Sequence, residues 1–319
     1  MSFLQPLALA VLAGSGAILT AAHLKTRRLA RQAGQAVPQV GQIQPVPGGA
    51  IHYVELGDPD APPVVLIHGL AGQLQHFTYA MAEDLARDFH VIALDRPGCG
   101  YSRRDDAALA DPSAQARMIW EFLDAKLIEA PILVGHSLGG AVSLAMALDR
   151  PAHARALALI APLTHPVGST AESFLGLRIY RQWVRHLLAQ TLAIPMAERT
   201  ADTVLRQVFD PEPWPDNFLT DAGAALGLRP QAFIAASEDL VAAEAAMPDQ
   251  SIAYGTIGLP PGAILTGAAD AVLNPAEQAD PMTEFGLPVT HLPDRGHMLP
   301  ITVPQTCTGF VRDVAGQVT

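Results

Sequence analysis

The chain has 319 residues, 31 acidic against 20 basic side chains, and a formal net charge of −11. That length suits one large α/β core with an insertion. The negative balance argues against a nucleic-acid partner and disfavours anionic substrates approaching from afar. Two cysteines, Cys99 and Cys307, form no disulfide framework, and no internal repeat is visible. The first element in the chain is apolar. Phe3 to Leu24 carries no acidic, lysine or arginine residue, and Lys25-Thr-Arg-Arg-Leu-Ala-Arg31 follows directly. A helix over that stretch reaches about 33 Å, enough to span a bilayer core. A secretory signal carries its positive charge before the apolar run, whereas here it lies after. Residues 1–32 are therefore expected to be an N-terminal membrane-anchor helix with a basic flank. The positive-inside rule then places the rest of the chain on the cytoplasmic side. The alternatives are a cleaved signal with export, or an amphipathic surface helix. Residues 33–49, rich in Gln, Pro and Gly, read as a tether.

From Ala50 onward the chain alternates apolar β-branched runs with glycine-bearing loops. Val64-Val-Leu-Ile-His68 reads as a strand ending in His68-Gly69-Leu70-Ala71-Gly72. His90 to Asp95 is a second strand, followed by Arg96-Pro-Gly-Cys-Gly-Tyr-Ser102. Pro131-Ile-Leu-Val134 is a third and runs into Gly135-His-Ser-Leu-Gly139, after which Gly140 to Leu148 reads as a small-residue helix. Strand, sharp turn and helix around Gly-x-Ser-x-Gly form the setting of a nucleophile elbow. A serine on so tight a turn has little room beside it, which explains the flanking glycines. The backbone N–H of Leu138 then points at the spot where the Ser137 hydroxyl projects. His136 beside it is expected to turn its side chain away.

Taken in order, the His-Gly loop, the Asp-Arg-Pro-Gly-x-Gly-x-Ser loop and the Gly-His-Ser-x-Gly-Gly elbow resemble the α/β-hydrolase superfamily. The resemblance runs from about Ala50 to the C-terminus, weakening between roughly Leu163 and Leu259. It implies a mostly parallel eight-stranded sheet flanked by helices, with a helical cap inserted over the active site. It also implies a second oxyanion N–H from the loop after the first of these strands, here at Leu70. Residues 50–162 and 260–319 then form the core, and 163–259 the cap. Within the cap, 171–189, 199–209 and 231–246 carry apolar residues at helical spacing, and Pro211-Glu-Pro-Trp-Pro215 breaks the chain. Most cap aromatics are expected to bury the cap against the core. Phe174, Trp183 and Met298 are candidates for the pocket wall, with Gly69 and His68 at the oxyanion loop. His68 is expected to tie that loop down. Arg178 is a candidate for a substrate carboxylate, on a face shared with Arg181 and Arg185.

The family orders its triad as serine, acid, histidine. Gly262 to Gly267 reads as a strand, with Asp270 three residues beyond it. Pro288 to Leu292 reads as the next, with Gly296-His297-Met298 on the loop that follows. The resemblance thus assigns Ser137 as nucleophile, His297 as general base and Asp270 as its orienting acid. The other family position for the acid, after the strand ending at Ile160, holds no carboxylate. Family members with an elbow aspartate, epoxide hydrolases and haloalkane dehalogenases, form an alkyl ester. Ser137 implies an acyl-enzyme instead. No metal-ligand pattern, P-loop or dinucleotide fingerprint competes, so neither cofactor nor metal is expected. The expected activity is hydrolysis of a small-molecule ester or lipid-like substrate with a moderately apolar acyl or alcohol group. The alternatives are a carbon–carbon bond hydrolase of a vinylogous diketone acid, a perhydrolase or haloperoxidase-type activity, and a non-catalytic receptor.

Overall fold

The computed structural model describes residues 4–168 and 172–318. Nine strands form one sheet: β1 (Gln42–Val46), β2 (Gly49–Leu56), β3 (Pro63–Ile67), β4 (His90–Leu94), β5 (Arg103–Arg104), β6 (Ile132–His136), β7 (Ala156–Ile160), β8 (Gly262–Gly267) and β9 (Val289–Leu292). The order across the sheet is β1-β2-β4-β3-β6-β7-β8-β9, with β5 pairing on β2. The pairs β1–β2, β2–β4 and β2–β5 are antiparallel, and the neighbours β4-β3-β6-β7-β8-β9 pair parallel. The ninth strand is the two-residue β5, too short to carry an alternating pattern in sequence.

The strand residues segregate by parity, as a sheet covered on both faces requires. Val65, Ile67, Ile92, Leu94, Leu133, Leu157 and Leu159 pack into one core with the helices Pro112–Ala125 and Leu138–Asp149. Val64, Leu66, Val91, Ala93, Val134, Ala158 and Ile160 point to the other, with the helix Pro304–Gly316. Parallel strands end on a common rim, where the loops after β3, β6, β8 and β9 meet.

Between β7 and β8 the chain leaves the sheet for helices Gln182–Gln190, Ala193–Phe209 and Pro230–Ile257. The expected helix over 171–189 is split. A 3₁₀ turn covers Glu172–Leu177, the α-helix begins only at Gln182, and Ala171 lies outside the described residues. The last cap helix is longer than its flanking prolines suggest, because it runs on through Pro248.

The N-terminal reading needs correction. No helix among the described residues is long and apolar enough to cross a membrane, so the anchor and the cytoplasmic placement built on it are overturned. Met1 to Phe3, the start of that stretch, lie outside the described residues. The helix Leu4–Ala36 passes unbroken through the basic flank. Its Thr26, Leu29 and Ala33 are buried at helical spacing, continued by Val37 just beyond its end. It docks on the cap through Thr26 Oγ1, which donates to the Thr191 carbonyl (2.9 Å), and through a Lys25–Glu198 ion pair (2.5 Å). The expected tether is likewise ordered: Val37 accepts a hydrogen bond from the Tyr101 hydroxyl, and 42–46 is strand β1.

Candidate active site

Ser137 follows β6 directly, with φ 55° and ψ −124°, a left-handed conformation that costs a non-glycine residue on the order of 1–3 kcal/mol. Its neighbours over-determine the turn. The Ser137 N–H donates to Ile160 (3.1 Å), and its carbonyl accepts from Gly140 (2.8 Å) and Leu163 (2.9 Å). A Cβ on Gly135 would lie 2.5 Å from the Gly139 carbonyl, and one on Gly139 would lie 2.0 Å from the Ile67 carbonyl. The glycines of the pentapeptide are therefore steric requirements of the packing between β3, β6 and the helix. Gly69 abuts the serine in turn, since a Cβ there would come within 2.8 Å of Ser137 Cβ.

Asp270 lies beyond β8 and His297 beyond β9, both buried. His297 Nδ1 meets Asp270 Oδ2 at 2.7 Å. The other carboxylate oxygen accepts the backbone N–H groups of Val272 (2.8 Å) and Leu273 (2.9 Å). The carboxylate can only accept, so Nδ1 carries the proton and Nε2 is left as a base. Ser137 and His297 line one cavity of about 850 Å³, counting its open mouth, and its remaining wall is largely apolar. A strained serine sharing a cavity with an imidazole whose Nδ1 is held by a buried carboxylate is an arrangement that could relay a proton in acyl transfer.

Leu70, Leu138, Gly69, Phe174 and Met298 also line this cavity. His68 does not: it is fully buried beneath the loop, where Nε2 accepts the Arg96 N–H (2.9 Å) and Nδ1 faces the Gly69 carbonyl (2.9 Å). Trp183 is 69% exposed on the outer side of its helix, whose buried residues are Arg185 and Ala189. That amphipathic helix turns the indole to solvent, so Trp183 is no pocket wall. Arg178 lies outside the lining, with its guanidinium on Glu244 at 3.0 and 2.6 Å. His136, expected to turn away, instead lines the cavity. Its Nε2–H donates to the His297 carbonyl (3.1 Å), which fastens the histidine loop to the elbow. Glu244 and His76 are lining residues that periodicity alone did not single out.

A family model for the alpha/beta hydrolase fold matches residues 62–302. The chain belongs to that family. The dihydrolipoyllysine-residue acetyltransferase component of the acetoin cleaving system of Pseudomonas putida is 30% identical over 273 residues, which is 84% of this hydrolase and 67% of that protein. The component of the same description from Cupriavidus necator is 36% identical over 124 residues, 38% of this chain and 32% of that protein. The match thus spans about a third of the latter's length. A thermophilic esterase from Thermogutta terrifontis shares the fold, with a TM-score of 0.70 and 20% identity over 87% of this chain and 99% of that one.

Three histidines of this α/β-hydrolase are held neutral around the site. Burial depresses His68 and His136 well below the ordinary imidazole value, helped by Arg96 and by His297 respectively. Burial alone pushes His76 down to about 4. The Nδ1 atoms of His76 and His136 are buried without a hydrogen-bond partner, and an unsatisfied buried group costs on the order of 1–3 kcal/mol. A depressed imidazole stabilises the fold above its unfolded pKa and loses that contribution as pH falls through the folded value. For His76 the window runs from 6.5 down to about 4, a loss on the order of 3 kcal/mol. Denaturant titrations across that range should show stability falling with pH, and His76→Gln should flatten the slope. An identical slope in the variant would refute this account of His76.

The cap is pinned to both sides of the site. Glu212 accepts the Gly296 N–H (2.7 Å) and pairs with Arg295 (3.1 Å), holding the backbone just before His297. On the other side, Arg96 is fully buried and donates to the His68 carbonyl (Nε, 2.8 Å), the Gly69 carbonyl (3.0 Å) and Asp239 of the last cap helix (2.8 Å). Arg104 reaches the other Asp239 oxygen at 2.5 Å and Glu238 at 2.9 Å. Burial would raise the Asp239 carboxyl, but the Arg104 and Arg96 guanidinium groups outweigh it and hold it below the usual carboxylate range.

Proposed function

We propose that the chain is a serine hydrolase of carboxylic esters with a moderately apolar acyl or alcohol group, acting through an acyl-enzyme. The observation that carries this reading is the 2.7 Å contact of buried Asp270 with His297 Nδ1, in the same largely apolar cavity as the strained Ser137. His297 Nε2 takes the Ser137 proton as Oγ attacks the ester carbonyl. The oxyanion is stabilised by the N–H groups of Leu138 and Leu70. Collapse expels the alcohol, protonated by His297, and leaves an acyl ester on Ser137. Water, deprotonated by His297, attacks that ester, and the acid leaves as His297 returns the proton to Ser137 Oγ. Asp270 fixes the tautomer and stabilises the imidazolium throughout.

The apolar lining supports an uncharged substrate portion. Arg178, the guanidinium a substrate carboxylate would require, is engaged by Glu244 outside the lining. This favours esters over the anionic vinylogous diketones of the carbon–carbon reading. The test is turnover of a nitrophenyl ester series from acetate to palmitate, with fluorophosphonate labelling in parallel. We expect hydrolysis with a chain-length optimum, together with a covalent adduct at Ser137. Folded protein that labels but hydrolyses no member would move the assignment to another bond type. Protein that neither labels nor hydrolyses would make it a receptor.

A further inference from the structure

We propose that His76 recognises a hydrogen-bonding oxygen of the substrate, so that the preferred ester carries a hydroxyl or oxo group a few atoms from its reacting carbonyl. This rests on the ester reading above and narrows it. The cavity has two unlike walls. Leu138, Leu163, Ala243, Met247 and Leu273 cluster with Leu70 and Val272 on one side and supply only apolar surface. On the other, Met298 and Val208 belong to a cluster with Phe218, whose ring centroid lies 5.6 Å from that of His76.

Apart from the Ser137 hydroxyl, the polar side chains in the lining differ in how they are held: His136, Glu244 and His297 each make at least one hydrogen bond, and His76 makes none to the described residues. His136 donates to the His297 carbonyl, Glu244 accepts from Arg178, and His297 is bound to Asp270. His76 is 7% exposed, and no residue among those described hydrogen-bonds its imidazole. Its Nδ1 lies against Gly72, where an added Cβ would come within 3.0 Å. That leaves Nε2 as the nitrogen a ligand in the cavity can reach. A phenyl ring would fill this place beside Phe218 without the desolvation penalty of an imidazole. Kept neutral by burial, the ring presents Nε2 as a donor in one tautomer and an acceptor in the other. A hydroxyl suits either tautomer and a carbonyl oxygen suits the donor form, and the largely apolar lining favours such uncharged groups.

Two matched pairs test this: nitrophenyl butanoate against nitrophenyl 3-hydroxybutanoate, and ethyl butanoate against 2-hydroxyethyl butanoate. The wild type should favour the hydroxylated member of one pair by about five- to tenfold in kcat/KM, the value of one neutral hydrogen bond. His76→Phe should bring that ratio close to one, and His76→Gln, which keeps a donor and an acceptor, should restore most of it. A ratio cancels any general loss of activity, so a purely structural role would leave it unmoved. If His76→Phe does not fold, His76→Leu provides a second removal, and the wild-type ratio needs no variant at all. Equal turnover within both pairs, or a preference that survives removal of the imidazole, overturns the inference while the ester reading stands. Folded wild type inactive on all four esters overturns both.

Discussion

Ser137→Ala is expected to lower kcat/KM on the best ester of the series by about 10⁴- to 10⁶-fold, because the members of such a relay act as a unit and little survives loss of the nucleophile. The residual rate would come from the oxyanion donors and from binding. The variant should keep its fold. The elbow is held by backbone groups, the Ser137 N–H on Ile160 and its carbonyl on Gly140 and Leu163, none of which uses the hydroxyl. Alanine inherits the same positive φ, so the strain is unchanged. Steady-state kinetics with a melting curve on the same preparation decide the matter. A folded variant retaining a tenth of the activity would remove Ser137 from the mechanism.

The second large effect is on stability. Asp239→Ala should cost about 3–5 kcal/mol, the penalty for leaving a buried charge without its partner, here shared by Arg96 and Arg104. Both guanidinium groups are almost wholly buried and converge on the one carboxylate. Arg96 is 0% exposed, so its guanidinium has no solvent contact to replace the lost carboxylate without local rearrangement. Activity should fall beyond what the lost stability explains, because the same guanidinium holds the His68 and Gly69 carbonyls of the loop carrying Leu70. Denaturant unfolding and kcat/KM measured well below the melting temperature separate the two effects. A variant as stable as the wild type would show that the Arg96–Asp239–Arg104 cluster contributes nothing net to holding the cap.

The nucleophile turn was legible in the sequence because its constraint is local: a serine with glycines two residues to either side reports a crowded turn without knowledge of the remaining chain. The positions of Asp270 and His297 after successive strands followed from the order of elements, and the buried contact between them agrees with that placement. What escaped the sequence was set by distant partners. Arg96 and Asp239 are 143 positions apart, and nothing near Asp239 distinguishes it from an exposed acid on a cap helix. Trp183 read as a wall because aromatic residues favour burial, yet its helix has a narrow apolar face that the indole does not join. His136 was expected to turn away on the assumption that adjacent side chains on a tight turn diverge, whereas the His297 carbonyl draws it inward. The N-terminal helix read as an anchor because an apolar run before a basic flank is a local pattern, whereas its packing depends on partners 165 and 167 positions away. Its docking face begins at His23, whose Nδ1 meets the Gln190 carbonyl, and continues at Thr26.

Glu212 on the Gly296 N–H and Asp239 on Arg96 grip opposite margins of the catalytic rim. A cap fastened at both margins cannot swing open about one edge without pulling on the histidine loop or on the oxyanion loop. With both contacts kept, the entrance would act more as a sieve than as a door. For the proposed ester hydrolysis, bulk near the scissile bond is then expected to count for more than total length, since a slender chain can thread where a branched one stalls.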